Sequence, residues 1–149
     1  MKRRAKHLLV VFFILIVLLT LVSCDVKEKT EYYAEKNNYV TITGTVSYVK
    51  LSEDSSALYL AFDDMSRQLS DNCFKVIGDN LIILQDSLGD ETIQPGDQLE
   101  FITAPRYFGD GYVMPIVSIQ KDGTELLSFE DGFNNLLAWL ALEQTVQKQ

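Results

Sequence analysis

The segment from Tyr39 to Leu51 constrains the fold more than any other part of the chain. Val40, Ile42, Gly44, Val46 and Tyr48 fall on one side of a period of two, and Thr41, Thr43, Thr45 and Ser47 on the other. Such alternation, rich in β-branched residues, is the pattern of a half-buried strand. A strand of that kind is not stable alone: it needs neighbours at its edges and a layer over its apolar face. Gly44, in its middle, predicts a bulge or sharp bend. Residues 52–56 (SEDSS) read as a turn, and Ala57 to Asp63 as the returning strand, with Leu58, Leu60 and Phe62 on one face.

The rest of the chain supplies those neighbours. Asp64 to Asn72 is polar and irregular, and Cys73 to Ile77 is a short apolar strand. Asp79-Asn80 offers an N-cap for a helix over residues 80–88, closed by Gly89, with Leu81, Leu84 and Leu88 at i, i+3 and i+7. Ile82 and Ile83 fit a strand equally well, so both readings of that segment stand. Pro95-Gly96-Asp97 is a turn before a strand from Gln98 to Thr103, whose Leu99, Phe101 and Thr103 align. Pro105 to Gly111 is a loop, and Tyr112 to Gln120 a strand in which Pro115 marks an edge or a bulge. Lys121-Asp122-Gly123 is a hairpin turn leading into Thr124 to Phe129. Ser128 and Asp131 have capping-box spacing for a last helix. Its apolar positions are Phe133, Leu136, Leu137 and Leu140, widened by Trp139 and Leu142.

The N-terminus reads as an address. Residues 2–6 are basic, and Leu8 to Val22 is a nearly unbroken apolar run, the pattern of a secretory signal. The run falls short of the roughly 20 residues that a spanning helix uses. It ends in Leu21-Val22-Ser23-Cys24, which resembles the lipobox of bacterial lipoprotein precursors. That resemblance implies a signal peptide over residues 1–23, lipidation of Cys24, and a cell-membrane anchor with the domain outside the cytoplasm. Two or more acyl chains hold stably where one does not. Asp25 resembles the inner-membrane retention signal of lipoproteins in bacteria with two membranes. Residues 24–38 then form the lipidated cysteine and a polar tether, and residues 39–149 the folded domain.

The order of elements over Tyr39 to Gln120 is similar to the OB-fold, a five-stranded antiparallel β-barrel, with a helix between strands three and four. The expected class is therefore mainly β: a small antiparallel barrel with one internal helix and a C-terminal helix. Another small antiparallel barrel or a sandwich is the competing architecture.

Charge and composition bear on function. The first 23 residues hold four of the 13 Lys+Arg, none of the 21 Asp+Glu and the single histidine, His7, so residues 24–149 carry a net charge of −12. Without histidine, the domain lacks His-based triads, His general bases and His metal ligands. Nucleic acid is an unfavourable partner, because binding draws on Lys and Arg at phosphates and this region has only Arg67 and Arg106 as arginines. The negative field favours cationic partners instead. The acid pairs read as solvated surface charge, with a loose cation site near Glu53, Asp54 or Asp110 as the alternative. Neither a cofactor nor a resident metal is expected. With Cys24 lipidated, Cys73 is left as a lone thiol, read as a buried core residue.

The loop Arg106-Tyr107-Phe108-Gly109-Asp110-Gly111-Tyr112 carries a guanidinium, aromatic rings and glycines. Arg106, Tyr107, Phe108 and Tyr112 are the candidate ligand contacts, since aromatics beside an arginine stack on planar groups and sugars. A hairpin whose rings pack onto the barrel explains the same residues. The leading expectation is a non-catalytic envelope protein that binds a protein, peptide or cationic ligand. The alternatives are a structural accessory subunit of a membrane complex, held by the last helix around Trp139, and a small-ligand or sugar binder at the 106–112 loop.

Overall fold

Six strands pair into one sheet whose hydrogen bonding returns on itself. The architecture is that of a computed structural model, which describes residues 28–108 and 111–146. The lipobox, Cys24 and the signal segment lie outside the described residues, as do Gly109 and Asp110.

In chain order, residues 28–34 are helical (α1). They belong to a compact unit separate from the one that begins at Glu35. The second unit holds β1 (Val40–Leu51), β2 (Ala57–Asp63), β3 (Cys73–Ile77), α2 (Asp79–Leu88), β4 (Gln98–Thr103), β5 (Met114–Lys121), β6 (Thr124–Leu127) and α3 (Phe129–Val146). The sheet order is β3-β2-β1-β4-β5-β6, and β3 also pairs with β5. Thus β1, β2, β3, β5 and β4 form a ring of bonded neighbours. All pairs are antiparallel except β3–β5, where Phe74 faces Met114 and Lys75 faces Pro115 in parallel. The ring covers most strand edges, as the half-buried β1 and β2 require.

The interior is aliphatic around three phenylalanines. Phe62 stacks on Phe101 at 4.3 Å, and Phe74 meets Phe101 edge-on at 4.9 Å. Ile42, Val46, Leu60, Leu99, Met114 and Ile119 surround them, with Leu81 and Leu84 of α2 at one end. Leu99, Phe101 and Thr103 all face inward, as the alternation of β4 predicts.

The expectations for β1 and β5 need correction. The bulge in β1 is not at Gly44 but at Ser47, between the pairs Val46–Phe62 and Tyr48–Ala61. Gly44 serves a close approach: a Cβ there would lie 3.2 Å from Phe62 Cβ and 3.3 Å from Met65 Cγ. The extra residue at Ser47 shifts the alternation by one. Tyr48, expected inward, is therefore 52% exposed, and Val49 packs toward the interior instead. Pro115 is not at an edge, for it lies buried between β4 and β3. A register shift does follow, because Thr103 pairs with Ile116 and Ile102 with Ser118, leaving Val117 as the extra residue.

Residues 79–88 form a helix, which decides between the two readings of that segment. Its N-cap position is Gly78, with φ of +57°, rather than Asp79 or Asn80. Asn80 is buried instead; its Nδ2 donates to Gly132 O at 3.0 Å, and its Oδ1 accepts from Asn135 Nδ2 at 3.0 Å. Ser128 caps α3 through its side chain: Asp131 N–H donates to Ser128 Oγ at 3.2 Å, and Ser128 Oγ–H donates to Asp131 Oδ2 at 2.7 Å. Phe133, Leu136 and Leu140 are buried, whereas Leu142, expected to widen that face, is 68% exposed. The Asp122-Gly123 turn has positive φ at both residues, as a type I′ hairpin needs.

The segment just before β1, expected as the end of a tether, contains a 3-10 turn at Lys36–Asn38. The Tyr39 ring meets Phe129 at 5.6 Å and Phe133 at 5.5 Å, and Lys36 Nζ lies 5.0 Å from the Phe133 ring. Among the described residues, no helix is long and apolar enough to cross a membrane.

Candidate functional site

The 106–112 loop does not present its four candidate residues as one surface. Phe108 is buried, its ring 4.9 Å from Trp139 and under the Lys75 ammonium at 4.8 Å. Tyr107 is half-buried and edge-on to Tyr112 at 5.3 Å, and Tyr112 is 75% exposed. Arg106 is half-buried, with its N–H donating to Ala104 O at 2.7 Å. Phe108 N–H donates to Val113 O at 2.8 Å, which ties the loop's start to its end. Phe108 thus fixes the loop to β3 and α3, Tyr107 packs partly against the core, and Tyr112 is left outward. Trp139 is half-buried against Phe108.

Beside this loop lies a cleft the sequence reading missed. The ladders set two rows across β1, β2 and β3: Lys50–Tyr59–Lys75, and Tyr48–Ala61–Cys73. Directly paired residues share a face of the sheet, and these rows are on the outward one. All of these residues but Lys75, whose ammonium lies over the Phe108 ring, line an open cleft of about 510 Å³ that Glu53 and Val113 also border. Glu53 and Ser52 come from the β1–β2 turn, and Val113 from the end of the 106–112 loop. Two phenol rings, one ammonium and one carboxylate therefore border a mostly apolar floor. That combination grips a ligand with both flat or apolar faces and hydrogen-bonding groups.

Cys73 belongs to this cleft rather than to the interior, because it and Lys75 alternate with the buried Phe74 and Val76. Its thiol is half-buried and lies 3.6 Å from Asn72 Oδ1. Burial pushes its pKa up, with the charge of Asp71 and a hydrogen bond to it adding to the effect. The thiolate is scarce at neutral pH, so Cys73 is a slow nucleophile.

Asp54, at the cleft's rim, is engaged by its own turn. Its Oδ1 accepts from Ser52 Oγ at 2.6 Å, Ser56 Oγ at 2.7 Å and Ser56 N–H at 3.1 Å. The Ser52 and Ser56 hydroxyls, then the Ser56 amide, lower its pKa from 3.8 to about 2. The ionised form is the one bonded, so this stabilisation is present above the ordinary carboxylate range and is lost as pH falls toward about 2. Following the Asp54 carboxyl by NMR through acid titration is expected to give a midpoint near 2, and Ser52→Ala is expected to move it up toward 3.8. An unchanged midpoint in that variant would mean the hydroxyl does not hold the turn. Of the positions considered for a loose cation, Asp110 lies outside the described residues. Among the described residues, no cluster of three or more Asp, Glu, Cys or His side chains is placed to hold a metal.

Comparisons with protein-family models, with curated proteins and with solved structures give no match for this chain.

Proposed function

We propose that the protein is a lipid-anchored, non-catalytic binding protein of the bacterial cell envelope, and that it holds a sugar chain on the outward face of β1, β2 and β3. One observation carries the ligand assignment: Tyr48 and Tyr59 stand on that face in a cleft bounded by the β1–β2 turn and by Val113. The bonded ring and the helix between β3 and β4 support an OB-fold-like barrel. By analogy, barrels of that kind bind oligonucleotides and oligosaccharides on the face of strands two and three, between the loops joining strands one to two and four to five. A net charge of −12 over residues 24–149 disfavours the first of these ligands. The mixed ammonium, carboxylate and hydroxyl border suits the second. The membrane anchor rests on Leu21-Val22-Ser23-Cys24. The non-catalytic reading rests on a histidine-free domain whose acids are mostly solvated.

Calorimetric titration with uncharged N-acetylglucosamine oligomers, alongside a panel of other neutral glycans, tests the reading. Tyr59→Ala is expected to weaken binding about ten- to thirtyfold with the fold intact, the loss typical of a central aromatic contact. Bound glycan is also expected to slow alkylation of Cys73. Failure of every glycan to bind, or binding indifferent to both Tyr48→Ala and Tyr59→Ala, would sink the assignment.

A further inference from the structure

The β1–β2 hairpin carries a second cleft on its opposite face. Past the bulge, Tyr48 and Lys50 point to the sugar-binding side, so Val49 and Leu51 point to the other. With Leu58, Leu84, Leu88 and Ile93 they line an open, mainly apolar cleft of about 440 Å³ between the hairpin, α2 and the segment after it. Leu51 is 41% exposed although it is apolar. No protein segment among the described residues fills the cleft.

The rim is acidic. From Val76 to Pro105 the chain has six acids (Asp79, Asp86, Asp90, Glu91, Asp97 and Glu100) and no Lys or Arg. Glu91 lines the cleft. Asp86 and Asp90 adjoin the lining residues Gln85, Gly89 and Glu91, and all three acids are exposed. The carbonyl end of α2 points the same way, with no basic residue in its last turn, and adds partial negative charge. Lys121, which senses Glu91, is already bonded to Asp97 at 2.9 Å.

We infer that this cleft docks a basic amphipathic peptide segment of a partner protein, with apolar side chains seated among Leu51, Leu58, Leu84 and Leu88 and Lys or Arg side chains against Asp86, Asp90 and Glu91. Charge complementarity selects this occupant. A second copy of the chain brings the same acidic surface and is repelled, and so is a membrane rich in anionic lipid. Helices with one apolar face and flanking charge are recognised in grooves of this kind. The assignment is independent of the sugar site, since the two clefts lie on opposite faces of the hairpin.

The test uses the mature protein, lipidated at Cys24, in detergent. Its probes are a synthetic Lys/Leu amphipathic peptide and the matching Glu/Leu peptide. The Lys/Leu peptide is expected to bind, about tenfold more weakly once salt shortens the range of the charges. Leu51→Asp, at an exposed position, is expected to cost about tenfold in affinity. Neutralising Asp86, Asp90 and Glu91 together (to Asn, Asn and Gln) is expected to cost a similar factor and to flatten the salt dependence. The same neutralisation of Asp63 and Asp64, at the far end of β2, is expected to leave affinity unchanged. Equal losses from both neutralisations would reduce the effect to the protein's general field and overturn the site. Binding of the Glu/Leu peptide as tightly as the Lys/Leu peptide, failure of the Lys/Leu peptide to bind, or binding indifferent to Leu51→Asp would overturn it too.

Discussion

Replacing Gly132 with alanine is expected to lower the stability of the domain by about 3 kcal/mol, near the upper end for overpacking a filled site. Gly132 lies on the buried face of α3, where a Cβ would overlap the carbonyl oxygen and carbon of Val117 and press on its Cα. Val117 is the extra residue of the irregularity in β5, and β5 is bonded to β4 on one side and to β3 and then β6 on the other. Neither backbone can yield cheaply. The strand is held by its neighbours, and α3 is pinned by Asn80 Nδ2 on Gly132 O, its Ser128 cap and the buried Phe133 and Leu136. Asn80→Ala is the milder change. It removes the donor to Gly132 O and the acceptor for Asn135, a loss of about 1–3 kcal/mol. Urea unfolding measures both: the midpoint falls with an unchanged slope if only stability changes. A Gly132→Ala midpoint equal to the parent's would show that α3 sits farther from β5.

Much of this architecture is legible in the sequence, because most of its elements follow local rules. The alternation in β1, β2 and β4, the Asp122-Gly123 turn and the Ser128-to-Asp131 cap each state their structure within a few residues. The outward cleft was hidden by a single residue. Continued from Ile42 and Val46, the even-numbered parity of β1 puts Tyr48 inside, and the bulge at Ser47 turns it out. A signal was present, because the same parity would bury the charge of Lys50 and expose Val49 and Leu51, an expensive arrangement. Shifting the parity by one after Ser47 removes that conflict. Pro115 misled for a related reason. Its missing N–H argues for an edge, yet β5 changes partner from β3 to β6 along one side, so a residue without a donor fits where the ladder is short. The acidic stretch from Val76 to Pro105 could be counted in the sequence. That it rims an apolar cleft depends on where α2 packs, which no local pattern states.

Phe108 and Tyr112 carry the same aromatic label in the 106–112 loop, and their truncations are expected to separate cleanly. Phe108→Ala is expected to cost about 3 kcal/mol or more, as for other buried rings, because it empties a site enclosed by Trp139 and the Lys75 ammonium. Tyr112→Ala is expected to change stability by no more than about 0.5 kcal/mol, since its ring is 75% exposed. The difference reaches the outward face of β1, β2 and β3, where the sugar is proposed to bind. Phe108 N–H holds Val113 O at 2.8 Å, and Val113 walls the cleft opposite the β1–β2 turn. Alanine keeps that N–H, but removing the ring unfastens residue 108 from Trp139 and Lys75, so the wall loosens while Tyr48 and Tyr59 stay in place. Glycan affinity is expected to fall in Phe108→Ala by less than in Tyr59→Ala, and the unfolding midpoint to fall in Phe108→Ala alone. Measured together on both variants, unfolding and glycan titration separate two roles for the loop. A Phe108→Ala protein as stable as the parent but unable to bind glycan would make Phe108 a ligand contact, and the anchoring of the loop by Trp139 and Lys75 would be wrong. A destabilised Phe108→Ala protein that still binds glycan below its unfolding transition would mark the ring as the fastening of the loop, with the two tyrosines as the contacts that hold the sugar.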